Sequence, residues 1–158
     1  MENSNLQIAT MGAGCYWCIE AMYRQLPGIM KIKSGFTASE NRAEVVQITY
    51  EPSMLSFTRI LKCLFRMHDC TDQKFASGLE RSIVLYHNEE QQEIINKFIE
   101  ELNIASDNKV VTEVSAYAGF NAAKESEQDY YTKNITNEHC SGYIKPKIAK
   151  FLRSLKDL

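Results

Sequence analysis

The sequence predicts an α+β fold: a two-layer sandwich with a split-βαβ-like mixed sheet at its core and a helical, irregular C-terminal tail. Two observations carry that prediction. Apolar positions switch between period 2 and period 3.6 in the order strand, helix, strand, strand, helix, strand, which is the split-βαβ order. The 158 residues, 44% of them hydrophobic, suffice for one sizeable core and contain no internal repeat, so residues 1–158 read as a single domain.

Each element has its own signal. "LQIAT" reads as a short strand, broken by the glycines of "MGAG" before a helix whose Ile19, Met22, Tyr23 and Leu26 recur at i, i+3, i+4 and i+7. "LPG" stops that helix. "IMKIKSGFT" and "AEVVQITYEP" read as an antiparallel pair joined by the polar "ASENR", with Val46, Ile48 and Tyr50 on one face. Phe57, Ile60, Leu61, Leu64 and Phe65 form a second helical stripe. "RSIVLY" is the next strand, and "NEEQQEIINKFIEELN" is a helix with Ile94, Ile95, Phe98, Ile99 and Leu102 on its apolar face. "KVVTEVSAY" reads as a further strand, "KESEQDYYTK" as a polar helix, and "KPKIAKFLRSL" as a last helix entered through Pro146. The stretch from Met67 to Arg81 has no period. A loop of that length in a compact domain tends to carry function, and it is expected to form one wall of a site.

Charge and composition narrow the function classes. Eighteen Lys and Arg against twenty Asp and Glu leave a formal net charge of −2, and no basic run suggests nucleic acid or an anionic membrane. The opening "MENSNLQIATM" lacks the basic flank and apolar run of an export signal, and no segment has the length of a membrane span. A cytoplasmic location is expected. Five cysteines, at 15, 18, 63, 70 and 140, are an odd number in a chain too large to need staples. They are expected to stay reduced, bind metal or cycle.

The chemistry concentrates in "MGAGCYWCIE". Gly12, Ala13 and Gly14 leave the backbone uncrowded where strand turns to helix, which places Cys15 near unpaired N–H groups and the positive end of the helix dipole. Such a position lowers a thiol pKa and yields the reactive thiolate. The competing reading makes Cys15 a small buried hydrophobe. Tyr16 and Trp17 either pack the core or wall an apolar pocket able to hold a methyl or thioether group. Cys18 lies three residues after Cys15 on the same helical face, at a spacing that suits a disulfide, so a C-x-x-C dithiol-disulfide oxidoreductase is a second function class. Against it, "CYWC" has its aromatics between the cysteines, where a thioredoxin-type site sets its tryptophan before the pair and a proline between. Zinc is a third class, but His68 with Cys70 and His139 with Cys140 lack chelating spacings, and no metal is expected. His68 then reads as a polar helix-end residue, His139 as an exposed loop residue and Cys63 as structural.

"MGAGCYWCIEAMYRQLPGI" resembles the signature of the A-type peptide methionine sulfoxide reductases, in which a Gly-Cys-Phe-Trp segment opens a helix after a strand. The similarity continues in "KSGFT", "RAEVVQITYEPSMLSF", "FRMHDCT", "ERSIVLY", "VVTEVSAYAGFNAAKESEQDYY" and "NITNEHCSGYIKPKIAKF", in the family's order and over nearly the whole chain. The resemblance implies reduction of the S epimer of methionine sulfoxide, free or in proteins. Cys15 attacks the sulfoxide sulfur, Glu44 protonates the departing oxygen, and a sulfenic acid is left on Cys15. Tyr16 and Trp17 would hold the methyl group. Acting as an acid near neutral pH requires burial to raise the Glu44 pKa.

The tail Cys140 matches the family's recycling cysteine, with Cys18 the nearer alternative. A resolving cysteine is expected to be exposed and mobile. Thioredoxin would reduce the resulting disulfide, so no bound cofactor is implied, and a monomer is expected. Two family features are missing. "GFTASENRAE" is short and lacks the tyrosine that helps bind the sulfoxide oxygen, and "FASGLERS" puts Ser77, Leu79 and Glu80 where the family supplies an aspartate and another tyrosine. A divergent member that only binds a sulfoxide or thioether is the reading these departures leave open.

Overall fold

The computed structural model describes residues 5–158, Asp157 by its backbone alone. The chain runs β1 (Gln7–Gly12), α1 (Tyr16–Tyr23), β2 (Ile29–Thr37), β3 (Glu44–Tyr50), α2 (Phe57–Met67), β4 (Ile83–Tyr86), α3 (Glu89–Ala105), β5 (Glu113–Ala116), β6 (Phe120–Ala122), α4 (Tyr130–Lys133) and α5 (Lys145–Ser154). The sheet has the order β5-β4-β1-β3-β2-β6. Its four central strands are antiparallel and split the β1-α1-β2 unit around β3. β5 joins parallel to β4, and β6 closes the other edge antiparallel to β2.

Periodicity explains the core. Ala9 and Met11 of β1 and Val46, Ile48 and Tyr50 of β3 share one face. Against it lie Ile19, Met22 and Tyr23 of α1 and Phe57, Ile60, Leu61 and Leu64 of α2. α2 begins at Ser56, whose hydroxyl accepts from the Arg59 N–H at 3.1 Å, and α3 begins at Asn88, whose side chain accepts from the Gln91 N–H at 2.9 Å. α3 lies at the periphery, with only Gln91 and Ile95 fully buried. The opposite face of the sheet carries Ala43, Val45, Ile83 and Leu85 under Tyr117 and Phe120.

Three elements differ from the sequence-based expectation. Leu26 is buried but lies beyond the end of α1, in the turn before Pro27 and Gly28. The expected helix over "KESEQDYYTK" is instead a 3₁₀ turn, Glu125–Glu127, and the single turn of α4, because Asp129 between them sits at φ +50°. β6 went unforeseen: three residues beside Gly119 are too short to show a period. The tail is more ordered than a loop, since a π-helical turn over Cys140–Ile144 leads directly into α5 and buries Cys140 and Ile144.

Two devices position the site. A Cβ on Gly12 would stand 2.1 Å from the Glu44 carbonyl oxygen, so only glycine lets the end of β1 lie against the start of β3. The Met67–Arg81 loop locks that junction: the Gly14 N–H donates to the Glu80 carbonyl at 2.9 Å, and the Glu44 N–H donates to the Leu79 carbonyl at 2.7 Å. The second device is Glu20, 1% exposed, which accepts from Arg24 at 2.8 Å, from the Ser34 hydroxyl at 2.7 Å and from the Asp129 N–H at 2.9 Å. A buried carboxylate so fully partnered ties α1, β2 and the segment before α4 into one unit.

Gly12→Ala is expected to destabilise the fold by about 2–3 kcal/mol or more, because the clashing atom is backbone and cannot swing away. Gly142→Ala, at a position with open space around its Cβ, should stay within about 1 kcal/mol of the parent. Denaturant unfolding of both variants measures the contrast, and an equal effect would contradict the junction's role.

Candidate active site

Cys15 is the N-cap of α1, in extended conformation at φ −68° and ψ 127°. Its carbonyl accepts the Cys18 and Ile19 N–H groups at 3.1 and 3.2 Å, and its half-buried side chain receives the Trp17 N–H. The next amide, of Tyr16, donates to Glu44 Oε1 at 3.0 Å. The unsatisfied donors of the first helical turn are thus divided between a sulfur and a carboxylate.

The expectation of a lowered pKa at Cys15 does not hold as stated. Cys15 hydrogen-bonds Cys18, and that bond, with burial and the charge of the Cys18 sulfur, pushes the Cys15 thiol well above its ordinary value despite the Trp17 amide. Cys18 moves the other way, lowered first by the Cys15 hydrogen bond and further by the Lys147 ammonium. Of the two sulfurs, Cys18 is therefore the one that gives up its proton more readily, and a negative charge on the pair falls on Cys18 rather than Cys15. Cys15 thus has in contact with it the more acidic partner of the pair.

Glu44 is the first residue of β3. Burial raises its pKa, the Tyr16 amide opposes that, and the charges of Glu80 and Glu127 add to it. This is the direction that acid duty demands. Tyr16 is buried and packs on Phe36 with ring centroids 5.6 Å apart, while half-buried Trp17 stacks on Tyr130 at 3.6 Å and 5°. The Tyr16 hydroxyl and the Trp17 indole N–H both donate to Glu127 Oε1, at 3.3 and 3.2 Å. Burial, then Glu127, pushes the Tyr16 phenol up to about 12. The two aromatics are thus both core elements and neighbours of the nucleophile, held in place by one carboxylate.

On the other side of Cys15 lies a cavity of about 290 Å³, bounded by Cys15, Cys18, Ile19 and Met22 of α1, by Met67 and His68 at the end of α2, by Lys74, Phe75 and Glu80, and by Tyr143 and Lys147. The aperiodic loop is a wall of this site. His68 is the C-cap of α2, its ring nitrogens 2.9 Å from the Leu64 carbonyl and 2.9 Å from the Ser82 hydroxyl, so both are engaged within the fold. Cys63 is buried in α2, and burial pushes its thiol up to about 11. Cys140 departs most from expectation. Its exposure is 0%, in the π-helical turn rather than on a mobile loop, and burial followed by the Cys18 charge raises its thiol. His139 beside it is exposed and meets the Trp17 ring edge at 5.7 Å.

The family model for peptide methionine sulfoxide reductase matches residues 7–157. The chain belongs to that family. It is 36% identical to the peptide methionine sulfoxide reductase MsrA of Saccharolobus solfataricus, over 96% of each chain, and 32% identical to the MsrA of Sulfolobus acidocaldarius, over 96% of this chain and 97% of that one. Among solved structures, reduced Mxr1 from Saccharomyces cerevisiae superimposes with a TM-score of 0.76 at 24% identity, covering 88% of this chain and 91% of Mxr1, and shares the fold. Mxr1 in complex with Trx2 gives 0.65 at 27% identity, covering 82% and 87%. As a peptide methionine sulfoxide reductase, the protein is an oxidoreductase that reduces methionine sulfoxide at the expense of thiols.

Several residues of this reductase's site escaped the sequence. Glu127 stood inside a run of polar residues with nothing to mark it, and Tyr130 beside it had only its aromatic character. Phe36 lay in the quoted "KSGFT". Lys147 is one of four Lys and Arg between 145 and 153, and only the packing of α5 against α1 selects it.

Glu44→Gln should stabilise the protein, and the gain should depend on pH. The folded pKa of Glu44 lies above its unfolded value, so the native state binds the proton more tightly, and wild-type stability falls as pH rises from the unfolded pKa through the folded one. The amide cannot ionise. The Tm difference between variant and parent is expected to be larger at pH 7 than at pH 4, and a difference independent of pH would contradict the burial of this carboxyl.

Proposed function

We propose that Cys15 is the nucleophile, Glu44 the acid and Cys18 the first resolving thiol in the reduction of the S epimer of methionine sulfoxide. Cys140 takes the disulfide onward. The hydrogen bond between Cys15 and Cys18, at the amide terminus that also holds Glu44, is the observation that carries this reading. As the Cys15 sulfur attacks the sulfoxide sulfur, its proton passes to Cys18. Glu44 protonates the sulfoxide oxygen, which leaves as the hydroxyl of a sulfenic acid on Cys15, and the thioether is released. Cys18 then attacks Cys15, forming the disulfide and releasing water.

Tyr16 and Trp17, fixed by Glu127, bound the apolar side of the substrate methyl group. Cys140, near enough to Cys18 for the charges to interact, stands next in line. The Mxr1–Trx2 complex supports thioredoxin as the physiological reductant, so no bound cofactor is needed. We place the protein in the cytoplasm as a monomer without membrane or nucleic-acid partners; among the described residues no helix is long and apolar enough to cross a membrane. One domain over residues 1–158 suffices for the whole cycle.

Single-turnover product from separated epimers, followed by peptide mapping, tests the reading. The wild type should consume the S epimer and leave R. Cys15→Ser should give no product, whereas Cys140→Ser should give a full equivalent and retain a Cys15–Cys18 disulfide. Cys18→Ser should stall as a sulfenic acid. A Cys15–Cys140 disulfide formed at the wild-type rate in Cys18→Ser would return the resolving role to the tail, and product from Cys15→Ser would end the proposal.

A further inference from the structure

The cavity bounded by Cys15 and Cys18 does not end behind the sulfurs. Across Met22, Met67, His68 and Lys147 it continues into a second cavity of about 340 Å³ between the end of α2 and α5. Lys74 and Lys147 line the inner part, and Lys147, Lys150 and Arg66 line the outer part, against the carboxylates Glu80 and Asp69. None of the three lysines is in an ion pair among the described residues. Half-buried Lys147 rests its ammonium 4.3 Å from the Tyr143 ring centroid, beside the thiol pair. The other approach to Cys15 holds the carboxylates Glu44 and Glu127. In a chain of net charge −2, this is a local reversal of sign along one path to the sulfurs.

The geometry points to this groove as the binding site of a small anionic thiol, one bearing a carboxylate or sulfonate, that reduces the disulfide held by Cys18, whether its partner is Cys15 or Cys140. The inference rests on the reductase reading above and adds a second electron source to the protein reductant. Cys18 is 3% exposed, so a thiol reaches it through the cavity it bounds, and cavities of several hundred Å³ admit a tripeptide-sized thiol but no folded protein. The thiolate of the first reductant molecule attacks one sulfur of the disulfide, forms a mixed disulfide and frees the other cysteine. A second reductant thiolate attacks the mixed disulfide at the reductant sulfur, frees the remaining cysteine and departs as the symmetrical small disulfide. Two thiols are oxidised for each sulfoxide reduced.

The test oxidises the full chain with one equivalent of sulfoxide and compares its reduction by 2-mercaptoethanesulfonate and 2-mercaptoethanol. Each rate is normalised to that thiol's rate with a small neutral disulfide. The normalised preference for the sulfonate is expected to be about tenfold at low ionic strength, to shrink toward unity in about 1 M salt, and to fall in Lys147→Met and Lys150→Met. Because the neutral thiol samples the same disulfide in every variant, the ratio cancels any effect of Lys147 on the cysteines themselves. A wild-type ratio near one, or a preference unchanged in both variants, would overturn the groove. Forming the disulfide with a chemical oxidant separates the two readings: a preference seen there, while sulfoxide forms no disulfide, would sink the reductase reading and leave the groove standing.

Discussion

The hydrogen bond from the Tyr16 amide to the Glu44 carboxylate is the contact on which the rest of the site depends. It joins the first turn of a helix to the first residue of a strand, and so a backbone amide alone holds the acid one residue from the nucleophile. The contact requires β1 to end hard against β3, which Gly12 alone allows, and the start of β3 to be held by the Leu79 carbonyl. A split-βαβ sheet brings these ends together because β3 lies between the two strands that α1 connects.

Around that contact the charges are sorted by side. Carboxylates Glu44 and Glu127 stand with the aromatics, where burial keeps Glu44 inclined to hold a proton. Lys147 stands with the sulfurs, where it favours a thiolate on Cys18. A reaction that must protonate an oxygen and ionise a sulfur within one small volume needs these opposite environments. Glu127 does a third task by fixing the polar edges of Tyr16 and Trp17, and its position is secured by Gln128, whose side chain grips both backbone groups of Ser34 at 2.8 Å.

Most of the fold was legible in the sequence because it rests on periodicity. β2, α2 and β4 lie where alternation or an apolar stripe placed them, and the aperiodic Met67–Arg81 segment is a wall of the site. Legibility failed where a single residue or a long-range contact decides. Asp129 in a left-handed conformation breaks a segment whose composition reads as helix. Cys140, surrounded in sequence by polar residues, is buried because the π-helical turn rotates it inward while its neighbours face solvent. The Cys15 thiol follows its neighbour Cys18 rather than the helix dipole, a competition that sequence spacing names but cannot weigh. In "FASGLERS" it is the backbone carbonyls of Leu79 and Glu80, not their side chains, that build the junction, and no pattern of side chains marks such a role.

The measurement that bears most directly on this account is the pH dependence of the single-turnover rate with the S sulfoxide, in the wild type and in Glu44→Gln. The account predicts a wild-type rate that falls as pH rises through the elevated pKa of Glu44. In the variant it predicts a rate about 10²- to 10⁴-fold lower at neutral pH with that limb absent. A descending limb of the same midpoint in Glu44→Gln would assign the proton to another group and contradict it.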